Sequence, residues 1–290
     1  MPDHSFEVSE EEADERLDVV LARHLDLSRA QTRKLLERGE VRLDGSPVDR
    51  SVKGVSLAPG SRIEVAGFVH PQDQRPVPEP EAELRILAEG PGWVAVDKPA
   101  GTAVHPLEPE ERGTLLNALV ARRPEIQGVG EAGLRSGVLH RLDLGTSGVV
   151  LFATEADAWA QLREAFASHA LEKTYRALVA GAPPDAGRTD LRLVVAQHRP
   201  AFVKVAKGHG GKPTRMSHRV LQRFADAALV EVALETGFLH QIRVGFAQAG
   251  HPVLGDPLYG GEHADAAPRL MLHCARLGIG DVEAESPDPA

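Results

Sequence analysis

The sequence has one cysteine, Cys274, and no hydrophobic run long enough to cross a membrane. A single cysteine excludes an intramolecular disulfide, which is typical of proteins from a reducing cytoplasm. A membrane span needs roughly 18 apolar residues in a row. Residues 1–20 are acidic, whereas a signal peptide begins with basic residues. We therefore expect a cytoplasmic protein without a signal peptide.

Signatures of metal binding are also missing. The chain has 13 histidines, but it contains neither H-E-x-x-H nor paired cysteines, the usual ligand patterns. His240, His251 and His263 are 11 and 12 residues apart and follow no ligand spacing. We expect neither a metal nor any other cofactor.

The net charge of −9 is concentrated at the two ends of the chain. Residues 1–15 contain seven acidic residues and no Lys or Arg, and residues 281–290 contain four more acidic residues. Residues 16–280 therefore carry +2. Blocks of like charge are usually solvated, so we predict mobile acidic tails at both ends. The acidic total does not exclude a nucleic-acid partner, because the local distribution of charge decides binding.

Residues 16–68 are predicted to form two short helices followed by a small hairpin-rich sheet. Ser28, with Gln31 three residues later, predicts a capping box at the start of the second helix. Gly39 suits the left-handed turn that ends a helix. Asp44-Gly45 predicts a hairpin turn.

A second, larger unit is predicted at residues 84–280, after a proline-rich linker at residues 69–83 that reads as a semi-rigid spacer. Strand-like segments are Leu84–Leu87, Trp93–Val96, Gly148–Ala153, Thr174–Val179 and Leu229–Leu234, and helical patterns are Leu115–Ala121, Glu155–His169 and Leu239–Ala249. Strands and helices mix without strict alternation. This favours an α+β fold with a mainly antiparallel sheet.

Basic residues crowd the second helix of the smaller unit. They are Arg29, Arg33, Lys34 and Arg38, with only Glu37 in opposition. Spacing of four residues puts cations on one helix face, as contacts to RNA phosphates require. An ordinary solvated helix face has the same composition, so charge alone leaves both readings open.

A resemblance favours the RNA reading. The segment RLDVVLARHLDLSRAQTRKLLERGEVRLDGSPV resembles the RNA-binding domain named after ribosomal small-subunit protein four. The matching positions are Ser28, Arg29, Leu35, Leu36, Gly39, Val41 and Asp44-Gly45. The resemblance implies that this unit binds structured RNA through the basic helix.

The segment GVLHRLDLGTSGVVLFATE, residues 137–155, carries the strongest signal for chemistry. Its polar stretch presents Asp143 between Arg141 and a Thr146-Ser147 pair, next to a predicted strand. A carboxylate held on a rigid element is a candidate nucleophile or general base. A turn aspartate that bonds its own backbone is the alternative.

This segment is similar to the H-R-L-D-x-x-T-S-G motif of the RluA-type pseudouridine synthases. The matching residues are His140, Arg141, Leu142, Asp143, Thr146, Ser147 and Gly148. Val94–Pro106, Leu171–Gly181 and His240–Gly260 resemble three further motifs of the same family, in the same order. The likeness covers nearly all of residues 84–280. It implies an enzyme that isomerises uridine to pseudouridine in RNA.

The resemblance also implies roles for individual residues. Asp143 would be the catalytic nucleophile or base, and Arg243 would pair with it and keep it ionised. Tyr175 would stack on the flipped base, and Arg141 would help to expel the target nucleotide. His140, Thr146 and Ser147 are expected to contact the substrate. Lys98, just before Pro99, is interpreted as a turn lysine.

The chain departs from the family pattern at two places. It has Phe238-Leu239 where family members usually carry Arg-Thr, and Gly245 where many carry His. These departures bear on local substrate contacts, and hence on which RNA is modified.

Rival functions use the same residues. A glycosidic-bond hydrolase normally needs a second carboxylate, and the motif's polar loop holds only Asp143. A non-catalytic RNA-binding protein would be compatible with the altered motif. The resemblance favours a synthase acting on large-subunit ribosomal RNA, with tRNA as the alternative substrate. Nothing in the sequence demands more than a monomer.

Overall fold

The computed structural model describes residues 4–49, 51, 53–168, 171–198 and 200–289. The chain forms two units, Met1–Asp73 and Gln74–Ala290. Both contain helices and mainly antiparallel strands, which confirms the predicted α+β class. Among the described residues, no helix is long and apolar enough to span a membrane.

The smaller unit has a four-stranded sheet in the order β1-β4-β2-β3 and two helices. Its elements are β1 (His4–Glu7), α1 (Leu17–His24), α2 (Arg29–Glu37), β2 (Val41–Leu43), β3 (Ser46–Val48) and β4 (Arg62–Val65). The Oγ of Ser28 accepts a hydrogen bond from the Gln31 N–H, and the Gln31 side chain accepts one from the Ser28 N–H. The capping box and the hairpin at Asp44-Gly45 are thus confirmed.

The prediction of a mobile tail at residues 1–15 is wrong for the part that the structure describes. Strand β1 pairs with β4, and the Phe6 ring stacks on His24 with centroids 4.0 Å apart. Val8 is buried in the core of the unit, and the Glu12 carboxylate lies 2.7 Å from the His24 ring nitrogen. Two apolar side chains and a paired carboxylate tie the acidic segment to the fold.

The second acidic tail, residues 281–290, is likewise part of the fold in its first half. Strand β14 (Val282–Glu285) pairs with β13 (Leu272–Ile279). Ser286 is buried, and its hydroxyl donates to the Asp97 carboxylate at 2.8 Å. The prediction of a mobile tail is therefore wrong through Ser286, because strand pairing outweighs charge repulsion.

The second half of the predicted linker, residues 69–83, makes hydrogen bonds to the larger unit. The side-chain amide of Asn117 donates to the Val77 carbonyl at 2.8 Å, and the Glu79 N–H donates to the Asn117 carbonyl at 3.0 Å. The second half of the proline-rich stretch is therefore hydrogen-bonded to a helix of the larger unit, α3 (Leu115–Arg122).

The larger unit is built on a ten-stranded sheet in the order β10-β9-β11-β12-β8-β13-β7-β6-β5, with β14 paired to β13. All pairs are antiparallel except β13 with β7. The remaining elements are β5 (Arg85–Gly90), β6 (Trp93–Lys98), α3 (Leu115–Arg122), β7 (Ser147–Ala153), α4 (Ala156–Ala167), β8 (Glu172–Ala180), β9 (Ala186–His198), β10 (Ala201–Val205), β11 (Lys212–Arg223), β12 (Ala227–Leu234) and α5 (Gln241–Gln248). His169, the predicted end of α4, lies outside the described residues.

The centre of this sheet positions the segment that contains Asp143, residues 137–155. Strand β7 begins at Ser147, directly after the loop that holds Asp143. Gly148 has φ +111° and lies against the Cys274 carbonyl of β13, so that a side chain there would overlap it. Only glycine accepts both the backbone angle and the close approach. The loop is therefore anchored at one end by the parallel strand pair.

Candidate active site

Asp143 occupies a tight turn just before the start of β7. The Thr146 N–H closes the turn by donating to the Asp143 carbonyl at 3.0 Å. The next carbonyl, that of Leu144, accepts from the Gly101 N–H at 2.8 Å and from the Lys98 amine at 3.1 Å. The Asp143 side chain is 20% exposed. Its carboxylate is therefore fixed in place and still open to a ligand.

Arg243, on α5, joins Asp143 to a second carboxylate. Its Nη1 donates to Asp143 Oδ2 at 2.9 Å. Its Nε and Nη2 donate to the two oxygens of Asp256, each at 2.8 Å. A guanidinium held at two points is oriented as well as charged. The predicted pair of Asp143 and Arg243 is present in the structure, with Asp256 behind it.

Asp256 is fully buried. Burial by itself would raise the pKa of its carboxyl, but the bonds from Arg243 and from the N–H groups of Leu258 and Tyr259 hold the pKa below its usual value. Asp256 is therefore a permanent anion that fixes the guanidinium toward Asp143.

His240, the residue before α5, lies close to Asp143 and contacts Tyr259 on its other side. His240 has φ +54°, and its Nε2 lies 3.8 Å from Asp143 Oδ2. Its Nδ1 lies 2.9 Å from the Tyr259 hydroxyl, which also accepts the Val203 N–H at 2.8 Å. Burial lowers the pKa of His240, which favours the neutral ring. When the Tyr259 hydroxyl donates to Nδ1, the Nε2–H faces the carboxylate.

Tyr175 lies on β8, opposite Cys274 of β13 in the strand register. Burial raises the pKa of its phenol well above the usual value, and the nearby Cys274 and Asp143 add to the shift. The structure thus places Tyr175 within electrostatic range of Asp143 as a protonated phenol.

Lys98 is a buried amine beneath the Asp143 loop. It donates to the carbonyls of Pro99, Thr102 and Leu144 at 3.0, 2.7 and 3.1 Å. Burial lowers its pKa to about 8, and the charge of Asp143 opposes that shift. The first two bonds agree with the predicted role in a turn, and the third extends it to the Asp143 loop.

The residues predicted to contact substrate divide into two groups. Arg141 is exposed. By contrast, the His140 ring stacks on Phe166 and its Nε2 accepts the Leu151 N–H at 3.0 Å, and burial lowers its pKa to about 3. The Ser147 hydroxyl is buried 2.9 Å from the His273 Nδ1. Contacts within the protein therefore occupy the side chains of His140 and Ser147, whereas the sequence predicted that they contact the substrate.

Thr146 is also buried, and its N–H closes the Asp143 turn. In the smaller unit, Arg29 and Arg33 are exposed on α2, Lys34 is half-buried there, and Arg38 is exposed at the end of the helix. Among the described residues, no three His, Cys, Asp or Glu side chains cluster as metal ligands would.

At the departures from the family pattern, packing accounts for Phe238 and Gly245, whereas Leu239 is exposed. Phe238 packs against the cluster of Leu193, Val203 and Val244. The Met216 methyl occupies the space that a side chain at Gly245 would need. The two substitutions thus belong to an apolar contact between α5 and the sheet, behind Arg243.

The sequence did not single out Asp256, His240 or Tyr259 as site residues. All three lie in the segment matched to the third motif, His240–Gly260. Their position within that segment was the available signal, but their pairing with Asp143 and Arg243 depends on the tertiary fold.

Comparison with known proteins identifies the family. Residues 92–248 match the family model for RNA pseudouridylate synthases, and residues 15–53 match the S4 domain. The chain belongs to the RNA pseudouridylate synthase family. It is 38% identical to an uncharacterized RNA pseudouridine synthase of Chloroflexus aurantiacus, over 91% of this chain and 82% of that protein.

Other relatives agree. The chain is 36% identical to ribosomal large subunit pseudouridine synthase D of Neisseria meningitidis, over 84% of this chain and 63% of that protein. The solved structure of human RNA pseudouridylate synthase domain containing 1 matches with a TM-score of 0.60 and 26% identity, over 73% of this chain and 86% of that one. The predicted pseudouridine synthase with an amino-terminal RNA-binding S4 domain is thereby confirmed.

Proposed function

We propose that this enzyme isomerises uridines of large-subunit ribosomal RNA, and that Asp143 is its catalytic carboxylate. The observation that carries the proposal is the contact of 2.9 Å between Asp143 and Arg243, whose guanidinium is itself held by buried Asp256. This contact orients the partly exposed carboxylate of Asp143, which lies in the motif that matches the family's catalytic segment.

The chemistry suits this arrangement. The bond from the ribose C1′ to uracil N1 breaks, the base turns, and C1′ bonds to C5, while C5 loses a proton and N1 carries one in the product. No atom is gained or lost, so the protein and RNA suffice. Asp143 can attack the sugar or the base, or accept the proton from C5. Arg243 stabilises the carboxylate in each case.

The position of Asp143 requires the target uridine to leave its stack. A partly buried carboxylate cannot reach a base inside a helix, so the nucleotide is flipped out at a cost of a few kcal/mol. We assign exposed Arg141, two residues from Asp143, to the resulting gap, which a planar cation can fill. We assign the Tyr175 ring to the uracil face, and the protonated phenol that its raised pKa favours supports this role.

The choice of RNA rests on two supports. A relative covering most of this chain is named a ribosomal large subunit pseudouridine synthase. In addition, the exposed arginines of α2 offer contacts to the phosphates of folded RNA.

Pseudouridine mapping tests the proposal. Total RNA from a strain that lacks the protein is compared with RNA from strains that carry the wild type or Asp143→Asn. We expect a large-subunit ribosomal site that disappears in the deletion and returns only with the wild type. A site that changes in tRNA instead would replace the substrate assignment. A site restored by Asp143→Asn would contradict the role of the carboxylate.

A further inference from the structure

Three exposed leucines border the residues that hold Asp143. Leu144 is 60% exposed, Leu239 36% and Leu258 41%. Their shared feature is their place in the chain: Leu144 follows Asp143, Leu239 precedes His240, and Leu258 precedes Tyr259. Single exposed leucines are ordinary, but each of these three directly adjoins in the chain a residue of the contact network around Asp143. We call these three residues the leucine rim.

The rim is held rigidly by the same bonds that build the site. The Leu144 carbonyl accepts from Lys98 and Gly101. The Leu258 N–H donates to the Asp256 carboxylate at 2.9 Å. Leu239 directly precedes His240, whose side chain is fixed by Tyr259. The exposed side chains therefore have fixed backbones and do not belong to a loose loop.

We propose that the leucine rim contacts the nucleobases that flank the target uridine in an unpaired stretch of RNA. This inference rests on the proposed function. When the uridine leaves its stack, each neighbouring base loses a partner and presents an apolar face. Uncharged leucines match such faces, whereas phosphates call for cations such as Arg141. Apolar side chains are known to insert between bases in this way.

The location of the rim favours RNA over a protein partner. Its members are the chain neighbours of Asp143, His240 and Tyr259, and His240 lies close to both of the other two at the site that the target uridine must enter. A protein seated on the rim would cover the carboxylate and compete with the substrate. The recognition expected here depends on unstacked bases, as is usual for RNA that is read outside helices.

The test is a cycle that pairs a protein change with an RNA change. The probe is a short synthetic RNA centred on the uridine identified by mapping, either intact or with the 5′ or 3′ neighbouring base removed. The protein variants are Leu144→Ser, Leu239→Ser and Leu258→Ser, each in the full-length chain. Ile86→Ser is the matched control, because Ile86 is 38% exposed on edge strand β5, which carries no residue of the site.

We expect each rim variant to raise KM on intact RNA about five- to tenfold, with a smaller change in kcat. Removal of the contacted base should raise the wild-type KM by a similar factor and add less than about twofold in the matching leucine variant. Ile86→Ser should leave KM unchanged. Thermal unfolding of each variant, compared with the control, shows that the effect is not a loss of fold.

Three outcomes would overturn the inference, and only the last of them also overturns the proposed function. If the wild type isomerises the RNA while all three serine variants keep its KM, the leucine rim alone is refuted. Variant and abasic effects that simply multiply would also refute it. If the wild type forms no pseudouridine in ribosomal RNA, the proposed function fails, and the inference that rests on it fails too.

Discussion

Arg243 contacts Asp256 at two points, each 2.8 Å, and this leaves its Nη1 directed at Asp143. Asp256 is fully buried, whereas Asp143 is partly exposed. The buried carboxylate therefore fixes the guanidinium, and the guanidinium fixes the exposed carboxylate. Asp256 acts through Arg243 and is a positioning residue.

Replacing Asp256 with Asn tests this relationship. The amide keeps the shape of the side chain but removes the charge that orients Arg243, so we expect kcat to fall roughly 10- to 100-fold. RNA binding should change little, because Asp256 is not exposed. Single-turnover kinetics and RNA binding are measured together. Asp18→Asn is the matched control, since Asp18 forms a two-point pair with Arg16 in the smaller unit. Equal kcat in wild type and Asp256→Asn would contradict the positioning role.

Lys98 gives the stability of the larger unit a defined pH dependence. Its folded-state pKa of about 8 lies below the ordinary lysine value of 10.5. Between these values the unfolded chain holds a proton that the folded chain lacks, so raising the pH stabilises the folded state. Relative to Lys98→Met, the wild type should gain up to about 1 kcal/mol per pH unit above pH 8. Denaturant unfolding from pH 7 to 10 measures the difference, and a constant difference would contradict it.

The basic face of α2 should govern RNA affinity and not chemistry. Arg29→Glu with Arg33→Glu removes two exposed cations, so binding should weaken and its dependence on salt should flatten by about one unit of slope per lost phosphate contact. The rate on saturating RNA should be unchanged. Arg85→Glu, an exposed arginine on β5, controls for charge alone. An unchanged salt slope in the double variant would argue against phosphate contacts by this helix.

Removing residues 1–15 should loosen the smaller unit. The deletion takes away strand β1, the contact of Phe6 with His24 and the burial of Val8. Loss of these apolar contacts should cost roughly 2 kcal/mol or more. Hydrogen exchange of amides in α1 and β4 reports on this unit within the whole chain, and faster exchange is expected. Exchange identical to the wild type would restore the interpretation as a mobile tail.

Local signals in the sequence predicted the parts of the fold that depend on neighbouring residues. The capping box at Ser28 and the turn at Asp44-Gly45 involve contacts within three or four residues, so the residue types alone define them. Charge content misled at both ends of the chain. Like charges at residues 1–15 and 281–290 suggested solvation, but strand pairing with β4 and β13 decides their structure.

From the sequence, we could predict only those site residues for which a motif match implied a role. Asp143 and Arg243 were expected to pair, and they do, although 100 residues separate them. The sequence did not identify Asp256, because only its contact with Arg243 in the folded chain distinguishes it from an aspartate in an ordinary turn. His140 and Ser147 were predicted as substrate contacts from their place in the motif. In the structure, the His140 ring stacks on Phe166 and the Ser147 hydroxyl contacts the His273 ring, so both side chains support the loop.

The most direct test of the central claim is the activity of purified Asp143→Asn on a transcript of large-subunit ribosomal RNA. Pseudouridine formation and RNA binding are measured on the same samples, beside the wild type. The account predicts that isomerisation disappears while the dissociation constant stays within about threefold of the wild type, because binding is distributed over α2 and the leucine rim. An Asp143→Asn protein that still forms pseudouridine would contradict the assignment of Asp143 as the catalytic carboxylate.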